Sequence, residues 1–415
     1  MNRRVVVTGM GVISPIGNNL EEFWNALLEG KCGIGPITKF DTTEYKAKLA
    51  AEVKDFNARD YMEKAEMLRS DLYAQYGLAS ACQAVEDSKI IGTVEPERIG
   101  VYYGTGIGGM DTFMTEHKKL IEKGTRKVSP YFVPMMIANM ASGMIAIRFN
   151  CKGAAMPSVT ACASGSNAIG EALRAIRHGY LDAVITGGAE APINECGVSG
   201  FVNMQALSTA ENPNEASLPF DSRRGGFVIG EGGAALVLEE YEHAVARGAK
   251  IYAEIVGSGL TADAYHITAP HPDGDGAMRV MKNAIEEAGI SPTDVDYINV
   301  HGTSTYAGDI AEIKAIKTLF GEHAYKLNIS STKSMTGHLL GAAGAIEAML
   351  TVLAIKNGIV PPTINHEEGD EDPEIDYALN FTFNKAQKRD IKVAISNTFG
   401  FGGHNATICL KKYEG

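Results

Sequence analysis

The chain reads as an α/β protein built from two similar halves, and three observations say so. Strand-like and helix-like runs alternate almost throughout its 415 residues, the pattern of a largely parallel or mixed sheet covered by helices. Glycine pairs sit where the strand-like runs stop, as at Gly187-Gly188 and Gly402-Gly403. Leu173-Arg174-Ala175-Ile176-Arg177-His178-Gly179 is also echoed by Val352-Leu353-Ala354-Ile355-Lys356-Asn357-Gly358, each closing an Ala/Gly-rich helix. Two halves explain why so long a chain shows no linker. The seam is placed near residue 250, after the charged stretch Glu239 to Lys250, giving halves 1–250 and 251–415.

The elements follow in order. Met1 to Gly9 carries two arginines and then Val5-Val6-Val7. That apolar run is too short for a secretion signal and lacks a small-residue cleavage pattern, so it reads as a first strand. Asn19 to Leu28 has apolar residues at helical spacing, with Gly30 as its stop. Arg98 to Tyr103 is a strand running into Gly104-Thr105-Gly106-Ile107-Gly108-Gly109. These glycines do not meet the dinucleotide-binding motif, because the third is misplaced and no acidic partner follows. Leu181 to Thr186 is a strand ending at Gly187, and Asp296 to Val300 one ending at His301-Gly302. Lys392 to Ser396 is another, followed by Asn397-Thr398-Phe399-Gly400-Phe401-Gly402-Gly403. Leu339 to Ile355 is the nearest approach to the ~20 apolar residues of a membrane helix. Glu347 in its middle makes it a buried helix instead.

Composition narrows the function classes. With 45% hydrophobic and 21% charged residues the chain can bury a large core. A net charge of −12 argues against a nucleic-acid binder that relies on a general positive field. Six scattered cysteines with no CxxC pair fit neither a disulfide framework nor a zinc site. The expected location is a reducing one, the cytoplasm.

Three polar clusters sit at strand ends, where open α/β sheets bind ligands. In Pro157-Ser158-Val159-Thr160-Ala161-Cys162-Ala163-Ser164-Gly165-Ser166-Asn167, a strand, a sharp turn and a helix start put Cys162 at the junction. Unpaired helix N–H groups push such a thiol toward thiolate, the form that attacks carbon. A free cysteine taken alone is more often core. The other clusters are His301-Gly302-Thr303-Ser304-Thr305 and Ser330-Ser331-Thr332-Lys333-Ser334-Met335-Thr336-Gly337-His338. A lone histidine after a strand is usually structural; two of them beside a helix-capped cysteine form a nucleophile with two hydrogen-bond donors or bases. A carboxylate inside an apolar helix needs a partner, and Lys333 is the nearest base that can turn inward to Glu347. Backbone N–H groups of Gly400-Phe401-Gly402-Gly403 are placed to face a developing oxyanion.

In these motifs the chain resembles the elongating β-ketoacyl-acyl-carrier-protein synthases of bacterial type II fatty-acid synthesis. Thr160-Ala-Cys162-Ala-Ser-Gly, His301-Gly-Thr-Ser-Thr, Lys333-Ser-Met-Thr-Gly-His338 and Asn397 to Asn405 match in order. So do Val7 to Gly11, Pro219 to Phe227 and Asp263 to His266, so the resemblance spans the whole chain. It implies a thiolase-like, five-layered α-β-α-β-α fold of two similar halves, assembled as a homodimer. It implies a decarboxylative Claisen condensation in which Cys162 accepts an acyl chain from acyl carrier protein. His301 and His338 would then bind malonyl carrier protein and promote loss of CO2. By the same resemblance Cys162 and Phe399 supply the oxyanion hole, and Phe399 and Gly400 the gate. Lys333 and Glu347 support His338, and Thr268, Thr303 and Thr305 contact the pantetheine arm. No cofactor of the protein's own, no metal, no nucleic acid and no membrane are implied; phosphopantetheine arrives on the carrier.

Two positions depart from the family pattern. Tyr306 stands where proline is common, and Gln205 where an arginine that contacts the carrier is often found. An acidic carrier needs a local basic patch on this acidic chain, and Arg69, Arg126 and Lys127 are the candidates. The alternatives are a ketosynthase of a polyketide or other specialised pathway, and a non-catalytic partner subunit. Intact Cys162, His301, His338 and Lys333 argue against the latter.

Overall fold

The computed structural model describes residues 3–415. Met1 and Asn2, part of the stretch read as the first strand, lie outside the described residues. The first half carries strands β1 (Val5–Ile13), β2 (Ile99–Gly104), β3 (Ala155–Ser158), β4 (Ala183–Glu190) and β5 (Gly232–Glu240). Its helices include α1 (Leu20–Glu29), α2 (Leu72–Ser88), α3 (Met110–Lys123), α4 (Met140–Phe149) and α5 (Ser164–Arg177). The second half carries β6 (Ala253–Ala262), β7 (Tyr297–Asn299), β8 (Asn328–Ser330), β9 (Val393–Gly400) and β10 (His404–Lys411). Its main helices are α6 (Asp275–Ala288), α7 (Tyr306–Phe320) and α8 (Ala343–Asn357).

The strands run in the order β8-β7-β9-β10-β6-β1-β5-β4-β2-β3. Read outward from the β1–β6 junction, both sides have the same order, each strand matching the one five places later in the chain. Pairing directions repeat as well. β3, β2 and β4 are parallel and β5 and β1 antiparallel; β8, β7 and β9 are parallel and β10 and β6 antiparallel. Strand pairing between the two sides covers only two residue pairs, Val6 with Glu254 and Val7 with Ala253.

Alternation of side chains along each strand then builds three cores. Val5, Val7, Val184, Leu236, Ala394 and Ile408 face a shared interior filled by α5 and α8. Ile13, Ile185 and Val237 face outward against α2. Val393 and Ile395 face outward against α6 and α7. The layers are therefore helix, sheet, helix pair, sheet, helix, the five-layered arrangement that the resemblance implies. Strands covered on both sides read as nearly continuous apolar runs, which is why they stood out in the sequence.

Local chemistry explains the element ends. Asn19 caps α1 by accepting from the Glu22 amide, and Gly30 closes it at φ +69°. The helix apolar enough to span a membrane, Leu340–Asn357, is 89% buried in this fold. The repeated motif at residues 173–179 and 352–358 closes α5 and α8, the two central helices. Three strands run further than the sequence reading, β1 among them, which continues past Gly9 to Ile13. β4 continues through Gly187 and Gly188 to Glu190, and β9 through Asn397 to Gly400. Glycines do not end them because neighbouring backbone fills the space a side chain would take; a Cβ on Gly187 would lie 2.0 Å from the Ala234 carbonyl oxygen.

Candidate active site

Cys162 lies between the end of β3 at Ser158 and the start of α5 at Ser164. Ala161 takes φ +50°, turning the chain sharply. The Ser164 hydroxyl holds that turn, accepting from the Thr160 amide at 2.9 Å and donating to the Ala161 carbonyl at 2.6 Å. The β9–β10 hairpin packs on it so closely that a Cβ on Gly400 would lie 2.8 Å from the Thr160 carbonyl and 3.1 Å from the Cys162 amide. Only a glycine admits that approach. Backbone N–H groups of Phe401 and of Cys162 itself point at the sulfur.

His338 Nε2 stands 3.0 Å from Cys162 Sγ. The His301 ring lies edge-on to that of His338, centroids 5.3 Å apart, and Phe399 flanks His301 at 5.5 Å. Phe227 meets His338 edge-on at 5.2 Å. Behind the histidines, Lys333 and Glu347 form a buried ion pair, as the apolar surroundings of Glu347 required. Burial, and then the positive charge of Lys333, hold both imidazoles well below the usual histidine range. Both are therefore neutral at pH 7.

The sulfur behaves differently from the sequence expectation. Burial pushes the Cys162 thiol up to about 12, with Lys333 opposing. Taking a thiolate out of water costs more than the helix start, the two amides and the lysine return. The resting pair is a neutral thiol beside a neutral imidazole. It is not a preformed thiolate.

A cavity of about 570 Å³ opens on this group. Cys162, His301, His338, Phe399, Gly400, Thr268, Thr303 and Thr305 all line it, as does the departing residue Gln205. Thr303 and Thr305 hydroxyls are 2.9 Å apart. All ten predicted site residues thus converge, eight on the wall and the Lys333–Glu347 pair behind it. Tyr306 occupies the first position of α7, where proline is favoured but not required. The course of the chain past Thr305 is an ordinary helix start. Among the described residues no group of three or more His, Cys, Asp or Glu is arranged to hold a metal ion.

Two buried carboxylates were missed. Glu312 on α7 accepts from the amides of His301 and Gly302, both at 2.9 Å, and fixes the turn that carries His301. Glu190 at the end of β4 accepts from the amides of Gly106, Ile107 and Gly341 and from the Thr105 hydroxyl. Each serves the turn after the second strand of its half. Signals were present: Glu312 shares its helix face with Ala315 and Ile316, and Glu190 ends a largely apolar strand.

Comparison with known proteins agrees with this geometry. The family model for the N-terminal domain of beta-ketoacyl synthases matches residues 2–244, and that for the C-terminal domain residues 252–367. The 3-oxoacyl-[acyl-carrier-protein] synthase 2 of Staphylococcus aureus (strain COL) is 52% identical over 414 residues, covering 100% of this chain and 99% of the relative. The Synechocystis protein of the same name is 50% identical, covering 99% of each. Among solved structures, a beta-ketoacyl synthase from Burkholderia phymatum superimposes with TM-score 0.92 at 34% identity, covering 99% of this chain and 100% of that one. A type II polyketide ketosynthase in complex with its acyl-carrier protein gives 0.90 at 34% identity, covering 100% of both.

Proposed function

The chain belongs to the beta-ketoacyl synthase family, and from that premise we propose the working cycle of its site. It is an acyltransferase, and its reaction is the condensation that elongates fatty acids on acyl carrier protein. The observation that carries the cycle is the Cys162–His338 contact at a helix start, with His301 beside it in one cavity.

In the first half-reaction the Cys162 sulfur attacks the acyl thioester delivered by the carrier. The sequence reading gave the oxyanion to the amides of Cys162 and Phe399; in this fold the two amides that point at the sulfur are those of Cys162 and Phe401, and these hold the oxyanion. The bond to the pantetheine sulfur breaks, and the thiol proton passes through His338 to the leaving thiolate. Malonyl carrier protein then enters, its arm running past Thr268, Thr303 and Thr305. His301 and His338 donate hydrogen bonds to the malonyl thioester oxygen, the carbon–carbon bond to the carboxylate breaks, and CO2 leaves an enolate. Neutral imidazoles suit this step, because it needs donors on oxygen and no strong base. The enolate attacks the acyl thioester on Cys162, the carbon–sulfur bond breaks, and the Cys162 thiolate takes up one proton from water, the proton that the condensation consumes. Burial, with the charge of Lys333 adding to it, keeps both imidazoles neutral, and Glu347 holds Lys333.

The carrier docks on exposed Arg69, Arg126 and Lys127 in this reading; Arg69 is stacked on Tyr131 beside the turn that bears the other two. The halves divide near residue 250, the first supplying the nucleophile and the second the histidines. Two copies pair through β3, an edge strand whose Met156 is 45% exposed, with Val159 at 53% and Ile147 of α4 at 80% beside it. Six free cysteines fit the reducing cytoplasm. Identity of 52% to the fatty-acid enzymes against 34% to polyketide ketosynthases favours the fatty-acid pathway. Mass spectrometry after incubation with acyl carrier protein tests the cycle: one acyl mass on Cys162 is expected, and no gain there would overturn it.

A further inference from the structure

Part of the cavity lining is polar, with Thr303 and Thr305, and part is apolar, with Ile107, Phe201, Phe227 and Leu340. The apolar part adjoins the nucleophile. Cys162, Phe227 and Leu340 belong to one hydrophobic cluster, and Phe201 packs against it. A chain of methylenes carried on Cys162 leaves water only by lying along this part.

Ile107 and Leu340 reach that wall from two different turns. Ile107 follows β2, and Leu340 follows His338 at φ +45°, a left-handed backbone that a leucine keeps only when its surroundings enforce it. The Glu190 side chain, wholly buried at the end of β4, spans both turns. Its Oε1 accepts from the Thr105 hydroxyl at 2.9 Å and from the Ile107 amide at 3.1 Å. Its Oε2 accepts from the Gly106 amide at 2.6 Å and from the Gly341 amide at 2.9 Å. The turns meet backbone to backbone. A Cβ on Gly341 would lie 2.2 Å from the Gly106 nitrogen and 2.6 Å from Glu190 Oε2. All four donors are uncharged, and burying a carboxylate on such partners alone is costly. What it adds over a neutral side chain is two oxygens that accept from four donors at once.

We propose that Glu190 is a positioning residue for the acyl chain. Its carboxylate clasps the Gly106–Ile107 turn to the Leu340–Gly341 turn and so fixes the apolar wall along which a long chain lies. Glu190 touches no reacting atom and acts through Ile107 and Leu340. This deepens the acyl half of the cycle proposed above and rests on it.

The test is transfer to Cys162 from dodecanoyl and butyryl carrier protein, read as the ratio of their kcat/KM values. Glu190→Gln keeps the volume but sets an amide donor against backbone donors. The dodecanoyl-to-butyryl ratio should fall about tenfold, the size of effect that altered methylene contacts produce. Thr105→Val removes one of the four donors and carries the test if the glutamine variant does not fold, with a fall of about threefold, the worth of one neutral hydrogen bond. Thr105→Ser keeps that hydroxyl and should keep the wild-type ratio. The Glu190 charge also opposes ionisation of Cys162, but its loss acts on every chain alike and leaves the ratio unmoved. Equal loss with both carriers would mark a merely structural or electrostatic role, and an unchanged ratio in Glu190→Gln would also overturn the proposal. A wild-type protein that takes no acyl group onto Cys162 would instead sink the underlying reading of the site.

Discussion

Cys162 shows how a residue's surroundings can reverse an expectation drawn from its neighbours in sequence. A helix start favours a thiolate, yet burial pushes the thiol up to about 12. Its alkylation by iodoacetamide should therefore rise about tenfold per pH unit from pH 7 to 9, still below the thiol's own titration. A plateau above pH 7 would reveal a thiolate–imidazolium pair instead. Glu347 makes the opposite point, since its partner was legible from residues alone. Burial pushes its carboxyl up while Lys333 pulls it down. Lys333→Met strands that carboxylate and should cost about 3–5 kcal/mol in denaturant unfolding. The further change Glu347→Leu should recover most of that loss; no recovery would argue against a simple pair.

At the scale of elements, the site is three turns and one close-packed hairpin, with the Cys162 turn held by the Ser164 hydroxyl and the His301 turn by the Glu312 carboxylate. The sequence made the turns legible because each follows an apolar run and carries reactive side chains. It concealed the roles of Glu190 and Glu312, whose partners are mostly backbone amides, and backbone amides leave no mark in composition. The hairpin was visible as glycines, but the reason for Gly400 lies in its distance to the Cys162 turn. Gly400→Ala should leave the far-ultraviolet spectrum unchanged and slow acyl transfer about tenfold or more. Full transfer activity in that variant would show that the turn can yield.

Across the whole molecule, the repeat of strand order and direction is the strongest structural statement. Its trace in the sequence was one seven-residue echo, because duplicated halves keep the pattern of burial and not the residues themselves. The five layers follow from strands buried on both faces, which composition and periodicity could suggest and only the pairing register could order. The exposed edge of β3 belongs to this scale too. In the homodimer proposed above, Met156→Lys there should shift sedimentation toward a monomer, and a coefficient equal to the wild type's would contradict pairing through this edge. The central claim is that Cys162 carries the acyl chain while His301 and His338 own decarboxylation. The direct measurement is CO2 release from malonyl carrier protein by Cys162→Gln, set beside its condensation activity. The account predicts that condensation is abolished and CO2 release persists; loss of both would contradict it.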